Sequence, residues 1–320
     1  MFHFHIESFI ILPRAKYVFG PVPSRRLGFS LGVDIIPAKY CSFDCIYCQI
    51  GKTTNVEIIR KSFIDPYKII DEIIDTVNKT EHIDYITFSG SGEPTLNSDL
   101  GTMIKEVKKT TAIPVSVITN GSLLYLDDVR KDLMHADVVL PSLDAVSEDI
   151  FRYINRPHSL IEIDTIIRGL KLFRNQYNGQ IWLEVMLIKD VNDTREELEK
   201  LKQIVSDLNV DKLQLNTVTR PPNEETTGRL TKDDLEQICD YLGKPSEIIC
   251  SFEKSVKKDN KEDWSQNVLG ILQRRSLTLD DIVKITGISF NKAKSRLKLL
   301  ESEGKIKSYF FDDNIFYMKS

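Results

Sequence analysis

The chain has 320 residues, of which 41% are hydrophobic and 28% charged, with a net charge of −4. That is enough apolar material for one large and one small domain, and it excludes a disordered chain. The net charge is too small to imply an acidic or basic partner, and no apolar run reaches the roughly 18 residues of a membrane span.

Residues 265–320 carry 10 Lys and Arg against 6 Asp and Glu, and the remainder 33 against 41. A basic tail on an acidic body points to two jobs. Residues 1–12 have no early Lys or Arg and contain Glu7, which makes a poor signal peptide. The expected location is the cytoplasm, and the expected partners include no membrane. His3 and His5 form a His-x-His pair read as a terminal accident.

In chain order, a strand over 30–36 leads into a cysteine-rich loop, and a helix follows over 66–78 with apolar Ile69, Ile70, Ile73, Ile74 and Val77. Strands are expected at 85–88, 115–118, 138–143, 181–188 and 212–217, and helices at 99–109, 161–173 and 194–208. β-rich apolar runs separated by helices argue for an α/β fold with a parallel sheet, either an open barrel or a doubly wound sheet. Sites then belong at the C-terminal ends of the strands, where Ser89-Gly-Ser-Gly-Glu-Pro94, Thr119-Asn-Gly121, Ser142-Leu-Asp144, Asn216 and Arg220-Pro-Pro222 fall. Residues 253–264 read as a charged linker between a domain over 1–252 and a small domain over 265–320. The small domain predicts helices over 267–273, 278–286 and 290–303 and a hairpin turning at Asp312-Asp-Asn314, the pattern of a winged helix-turn-helix.

Five cysteines are an odd number, and three of them, Cys41, Cys45 and Cys48, fall within eight residues. This is a metal pattern in a reducing compartment rather than a disulfide framework. A structural zinc site wants four ligands, which Cys239, Cys250 or His82 would have to complete. A cubane held by three thiolates instead leaves one iron without a protein ligand. That iron can take S-adenosylmethionine through its amino and carboxylate groups. Cys239 and Cys250 read as packed thiols.

The spacing Cys-x-x-x-Cys-x-Tyr-Cys in a β/α repeat resembles the radical S-adenosylmethionine superfamily. Phe19-Gly-Pro-Val-Pro-Ser-Arg-Arg-Leu-Gly28 and Ser89 to Thr95 resemble its Fe–S oxidoreductase subgroup related to wyosine synthetases. The resemblance covers about 17–222. It implies a partial (β/α)6 barrel, a [4Fe-4S] cluster on Cys41, Cys45 and Cys48, and S-adenosylmethionine as second cofactor. It places Tyr47 against the adenine, Ser91, Gly92, Glu93 and Pro94 at the amino group, and Asn120, Ser142 and Asp144 at the ribose and carboxylate. Ser91 stands where the family has glycine. Asn192 is a weaker candidate, since Asp193 and Thr194 more simply cap the next helix. Arg25, Arg26, Arg156 and Arg220 are candidate anion contacts for the carboxylate of the cofactor or a substrate phosphate. A reductant such as flavodoxin or ferredoxin is the implied partner. No cysteine precedes Cys41 and only two are spare, which argues against an auxiliary cluster and against the wyosine activity itself.

The third helix of the small domain carries Lys292, Lys294, Arg296 and Lys298, with Ala293, Leu297 and Leu300 facing inward. Such basic character favours contact with RNA or DNA, with protein docking as the other use. Tyr309, Phe310, Phe311, Phe316 and Tyr317 are expected to pack. The sequence therefore predicts a radical enzyme with an unassigned substrate. Its rival is an iron–sulfur nucleic-acid-binding regulator with an idle barrel.

Overall fold

A computed structural model describes residues 17–249 and 264–320. His3, His5, Cys250 and the expected linker up to residue 263 lie outside the described residues. The first part contains β1 (Val18–Ser24), β2 (Gly28–Val33), β3 (Tyr40–Cys41), β4 (Asn55–Val56), α1 (Pro66–Lys79), β5 (Tyr85–Phe88), α2 (Leu100–Thr110), β6 (Val115–Thr119), α3 (Asp127–Leu133), β7 (Val138–Pro141), α4 (Glu148–Asn155), α5 (Ile163–Gln176), β8 (Gln180–Leu187), α6 (Arg195–Leu208), β9 (Lys212–Thr217), α7 (Lys232–Leu242) and β10 (Ser246–Ile248). The second contains α8 (Trp264–Leu272), β11 (Leu277–Thr278), α9 (Leu279–Thr286), α10 (Phe290–Ser302), β12 (Ile306–Phe311) and β13 (Asn314–Lys319).

The main sheet has the order β1-β2-β5-β6-β7-β8-β9-β10. Six strands, β2 and β5 to β9, run parallel and never reverse their order. A doubly wound sheet needs such a reversal to place helices on both faces. Right-handed crossovers in one direction keep the helices on one face, and the fold is the open (β/α)6 barrel, with β1 added antiparallel and β10 parallel at its two ends.

Period-2 alternation gives the sheet its two faces. Leu31, Val33, Ile86, Phe88, Val115, Val117, Val139, Leu183, Val185, Leu213 and Leu215 pack outward with Ile69, Ile73, Met103, Ile104, Leu170 and Phe173 of the helices in one core. Asp65 caps α1 by accepting from Tyr67 N, and Thr194 caps α6 by accepting from Glu197 N, so each starts where its apolar stripe starts. The intervening residues point inward. Leu27, Val138, Leu140 and Trp182 form an apolar floor with Tyr85 and Ile118. Above it the lining turns polar: Ser30 Oγ and Thr87 Oγ1 are 2.6 Å apart, and Thr87 Oγ1 and Ser116 Oγ 2.8 Å.

The second part places three helices beside a three-stranded antiparallel sheet, β11-β13-β12. Ala293, Leu297 and Leu300 are buried, as their spacing predicts. Lys292, Lys294 and Lys298 are exposed, whereas Arg296 lies 5.2 Å over the ring of Trp264. Phe316 and Tyr317 pack inward, and Phe310 is 69% exposed.

This unit docks on both margins of the open barrel. Val22 of β1 is buried in its core beside Trp264, Val268 and Ile271, with Phe19 packed against them. At the other margin Arg229 pairs with Asp312, and Tyr309 Oη donates to Glu225 at 2.8 Å. Arg274 Nε meets Asp34 Oδ2 at 2.8 Å with both side chains below a tenth exposed. Removing one partner of a buried pair costs about 3–5 kcal/mol. Arg274→Ala is therefore expected to lower the thermal unfolding temperature clearly in calorimetry, and a melting curve within a degree of wild type contradicts the coupling.

Candidate active site

Cys41 ends β3, and Cys45 and Cys48 lie in the loop between β3 and β4. The loop is held mainly by its neighbours' backbones. Asp44 N and Ile46 N donate to Asn155 O and Ile154 O at the end of α4, and His158 N donates to Ser42 O. Asp44 Oδ1 accepts from Thr53 N at 2.7 Å, and Ile46 packs with Ile154 and Ile188.

Two side-chain amides point at sulfur. Asn120 Nδ2 is 3.6 Å from Cys41 Sγ and Asn155 Nδ2 is 3.5 Å from Cys45 Sγ. Burial pushes the Cys41 thiol up to about 12 and raises those of Cys45 and Cys48, so free thiols here stay protonated and metal binding must displace the protons. Among the described residues no three His, Cys, Asp or Glu side chains are placed to hold one metal ion. A zinc ion needs its sulfurs within about 2.3 Å of one point. A cubane instead takes each thiolate on a different iron. Three thiols on one loop, each able to take a different iron, fit the cluster.

The loop after β5 leans on this one. A Cβ on Gly92 would lie 1.8 Å from Tyr40 O, so only glycine permits the approach at which Glu93 N donates to Tyr40 O at 3.2 Å. The Glu93 carboxylate is 2% exposed and accepts from Thr95 N, Thr95 Oγ1, Thr119 Oγ1 and Asn120 N. Burial raises its pKa while these donors hold it down. The side chain thus ties the ends of β5 and β6 together. Ser91 donates through Oγ to Asp34 Oδ2 at 2.7 Å and through N to Oδ1 at 3.1 Å. The serine that replaces the family glycine links this loop, through Asp34, to Arg274 of the C-terminal unit.

A cleft of about 310 Å³ at the C-terminal ends of the strands is lined by Cys41, Gly92, Glu93, Asn120 and Ser142. A second cavity, of about 250 Å³, is lined by Cys45, Tyr47 and Cys48, and Arg26, Gln49 and Arg220 border both. Asp144 lines neither. Its Oδ1 accepts from Met186 N, its Oδ2 accepts from Tyr47 Oη and Asn155 Nδ2, and burial pushes its pKa up to about 6. Its contact with Tyr47 fixes the ring of that residue. Asn192 caps its own loop and donates to Asp144 O and Met186 O. Arg156 lines neither cavity and pairs with Glu224 at 2.7 Å. Arg26 pairs with Glu184 across the mouth.

Sequence reasoning passed over Asn155, Asp34, Glu184 and Lys39. Only Lys39 had a signal, its place just before the cysteines. Its Nζ is buried without a hydrogen-bond partner, and its charge lowers the Cys48 pKa. A cation beside a cluster favours the more negative reduced state. Lys39→Met is expected to lower the reduction potential of the loaded cluster in an EPR-monitored titration, and an unchanged potential would remove Lys39 from the account.

Residues 35–202 match the family model of the radical SAM superfamily. With more than half of its length matched, and with this loop at the mouth of this barrel, the chain belongs to that superfamily, whose members are enzymes that use a [4Fe-4S] cluster and S-adenosylmethionine. It is 36% identical to a UPF0026 protein of Methanocaldococcus jannaschii over 94% of this chain and 95% of that one. It is 42% identical over 92% of its length to a protein of Brachyspira hyodysenteriae named GTPase Obg, of which it spans 44%. No Gly-x-x-x-x-Gly-Lys-Ser/Thr sequence occurs here. Among solved structures, TYW1 with a lysine–pyruvate adduct bound is similar in fold, with a TM-score of 0.53 and 19% identity over 71% of this chain and 76% of that one.

Proposed function

We propose that the chain binds its cluster through Cys41, Cys45 and Cys48, cleaves S-adenosylmethionine reductively, and removes hydrogen from a substrate held in the cleft. When bound, the reduced cluster supplies the electron that breaks a carbon–sulfur bond of S-adenosylmethionine and frees a 5′-deoxyadenosyl radical. The observation that carries this reading is the set of three half-buried thiols on one loop, beside a polar cleft and its neighbouring cavity at the C-terminal ends of parallel strands.

The chain's own residues then have separable tasks. Asn120 and Asn155 donate to the cysteine sulfurs and stabilise them as thiolates. The backbone of Ser91, Gly92 and Glu93 offers polar groups to the amino end of the cofactor. Asn120 and Ser142 border the cleft, and on this reading they take the ribose and carboxylate. Asp144 orients Tyr47 for the adenine. The floor of Leu27, Val138, Leu140 and Trp182 keeps water from entering below.

Residues 1–252 form the catalytic domain on this reading, and 265–320 a winged helix-turn-helix. Exposed Lys292, Lys294 and Lys298 offer the latter a face for RNA, DNA or protein. A flavodoxin or ferredoxin supplies the electron, and the unpaired cysteines suit the reducing cytoplasm. No described helix is long and apolar enough to cross a membrane. No specific observation favours the regulator with an idle barrel.

The test is anaerobic incubation of the reconstituted protein with dithionite and S-adenosylmethionine, with 5′-deoxyadenosine measured by chromatography. Formation that depends on both reagents supports the reading. A fully loaded protein that yields none rejects it.

A further inference from the structure

Five arginines gather where the C-terminal unit meets the barrel mouth. Arg26, Arg220, Arg274 and Arg275 line the larger cleft, and Arg25 joins Arg26 and Arg220 on the smaller one. Two are neutralised, Arg26 by Glu184 and Arg274 by Asp34. Among the described residues, Arg25, Arg220 and Arg275 are in no ion pair. Arg220 Nη1 reaches only Gln49 Oε1, at 3.2 Å, and Arg275 Nη1 only Pro23 O, at 3.4 Å. Arg275 Nε is buried with no partner.

These guanidiniums feel one another. Burial first, then Arg220 and Arg26, hold Arg25 down at about 10. Burial and then Arg275 hold Arg220 down at about 9, and burial lowers Arg275 as well. Glu184 and then Asp281 oppose the shift at Arg25, and Asp281 opposes those at Arg220 and Arg275; Glu184 is engaged by Arg26, and Asp281 accepts from Thr278 N at the start of α9. Unpaired, partly buried like charges are unfavourable unless an anion joins them. The single carboxylate of S-adenosylmethionine can pair with one guanidinium at most and leaves the other two without an anion. A cluster on three thiolates is anionic, but it needs no planar, forked donors of the kind arginine directs at phosphate.

We propose that Arg25, Arg220 and Arg275 form a binding site for the phosphate or diphosphate group of a small substrate, so that the C-terminal unit completes the active site. Arg220 and Arg275 line the larger cleft and Arg25 the smaller cavity that Arg220 also borders, apart from the exposed lysines of α10, and this favours a compact phosphate ester over a nucleic-acid strand. That the ester is the substrate rests on the radical-enzyme reading; that the site binds the anion does not.

Pyrophosphate is the probe. In isothermal titration calorimetry with the full-length, cluster-loaded protein, one equivalent is expected to bind. Arg220→Gln and Arg275→Gln are each expected to weaken binding by roughly tenfold or more, and Lys294→Gln to leave it unchanged. Pyrophosphate should also raise the melting temperature of the wild-type protein above that in chloride of equal ionic strength, a readout that needs no variant. No gain over chloride overturns the site, as does equal binding by wild type and the arginine variants. A loss in Lys294→Gln as large as theirs would move the anion to the nucleic-acid-type face and also overturn it. Pyrophosphate binding without 5′-deoxyadenosine formation would leave the site standing and reject the radical chemistry alone.

Discussion

Cys45→Ala is expected to lose the cluster. Iron content and visible absorbance should fall to background after reconstitution, and 5′-deoxyadenosine formation by roughly two orders of magnitude or more. The reason is the count of ligands: with one thiolate gone, a second iron has no protein donor, and no nearby His, Asp or Glu forms a replacement set among the described residues. Asn155 would also lose its sulfur acceptor. Cys41→Ala and Cys48→Ala should behave alike. Cys239→Ala, on α7 and away from both cavities, should retain cluster and activity. If Cys45→Ala kept its cluster, the ligand assignment would be wrong.

Gly92→Ala is expected to do comparable damage by a different route. The added methyl has nowhere to go, since the obstacle 1.8 Å away is the carbonyl oxygen of Tyr40, not the end of a flexible side chain. Overpacking typically costs about 1–3 kcal/mol, occasionally more. Relief requires parting the loop after β5 from β3, which stretches the Glu93 N to Tyr40 O bond and moves Cys41. The melting temperature and the cluster occupancy should therefore fall together. A variant with wild-type stability and full occupancy would show that the two loops are not coupled there.

The sequence made much of the barrel readable because its outward face is continuous apolar sheet: all six parallel strands appear where the β-rich runs fall. The edge strand β1 escaped because Pro21 and Pro23 argue against a strand, and an outer strand tolerates them. Short α3 and α4, of 7 and 8 residues, gave too little periodicity to register. The cysteines were legible as a local motif. Their supports were not, because Asn155 and Asp34 reach the site from distant parts of the chain and carry no pattern of their own. Asp144 illustrates the same limit: its position at a strand end was evident, but its engagement by Met186, Tyr47 and Asn155 depends on packing. The docking of the C-terminal unit was likewise hidden, since Arg274 and Asp34 are 240 residues apart.

The central claim is that three protein thiolates leave one iron open to S-adenosylmethionine. It is tested most directly by the EPR spectrum of the reduced, fully loaded cluster with and without that cofactor. The account predicts a clear change in g values and line shape when S-adenosylmethionine is added. An identical spectrum at saturating cofactor would mean that every iron already has a ligand from the protein, and would contradict it.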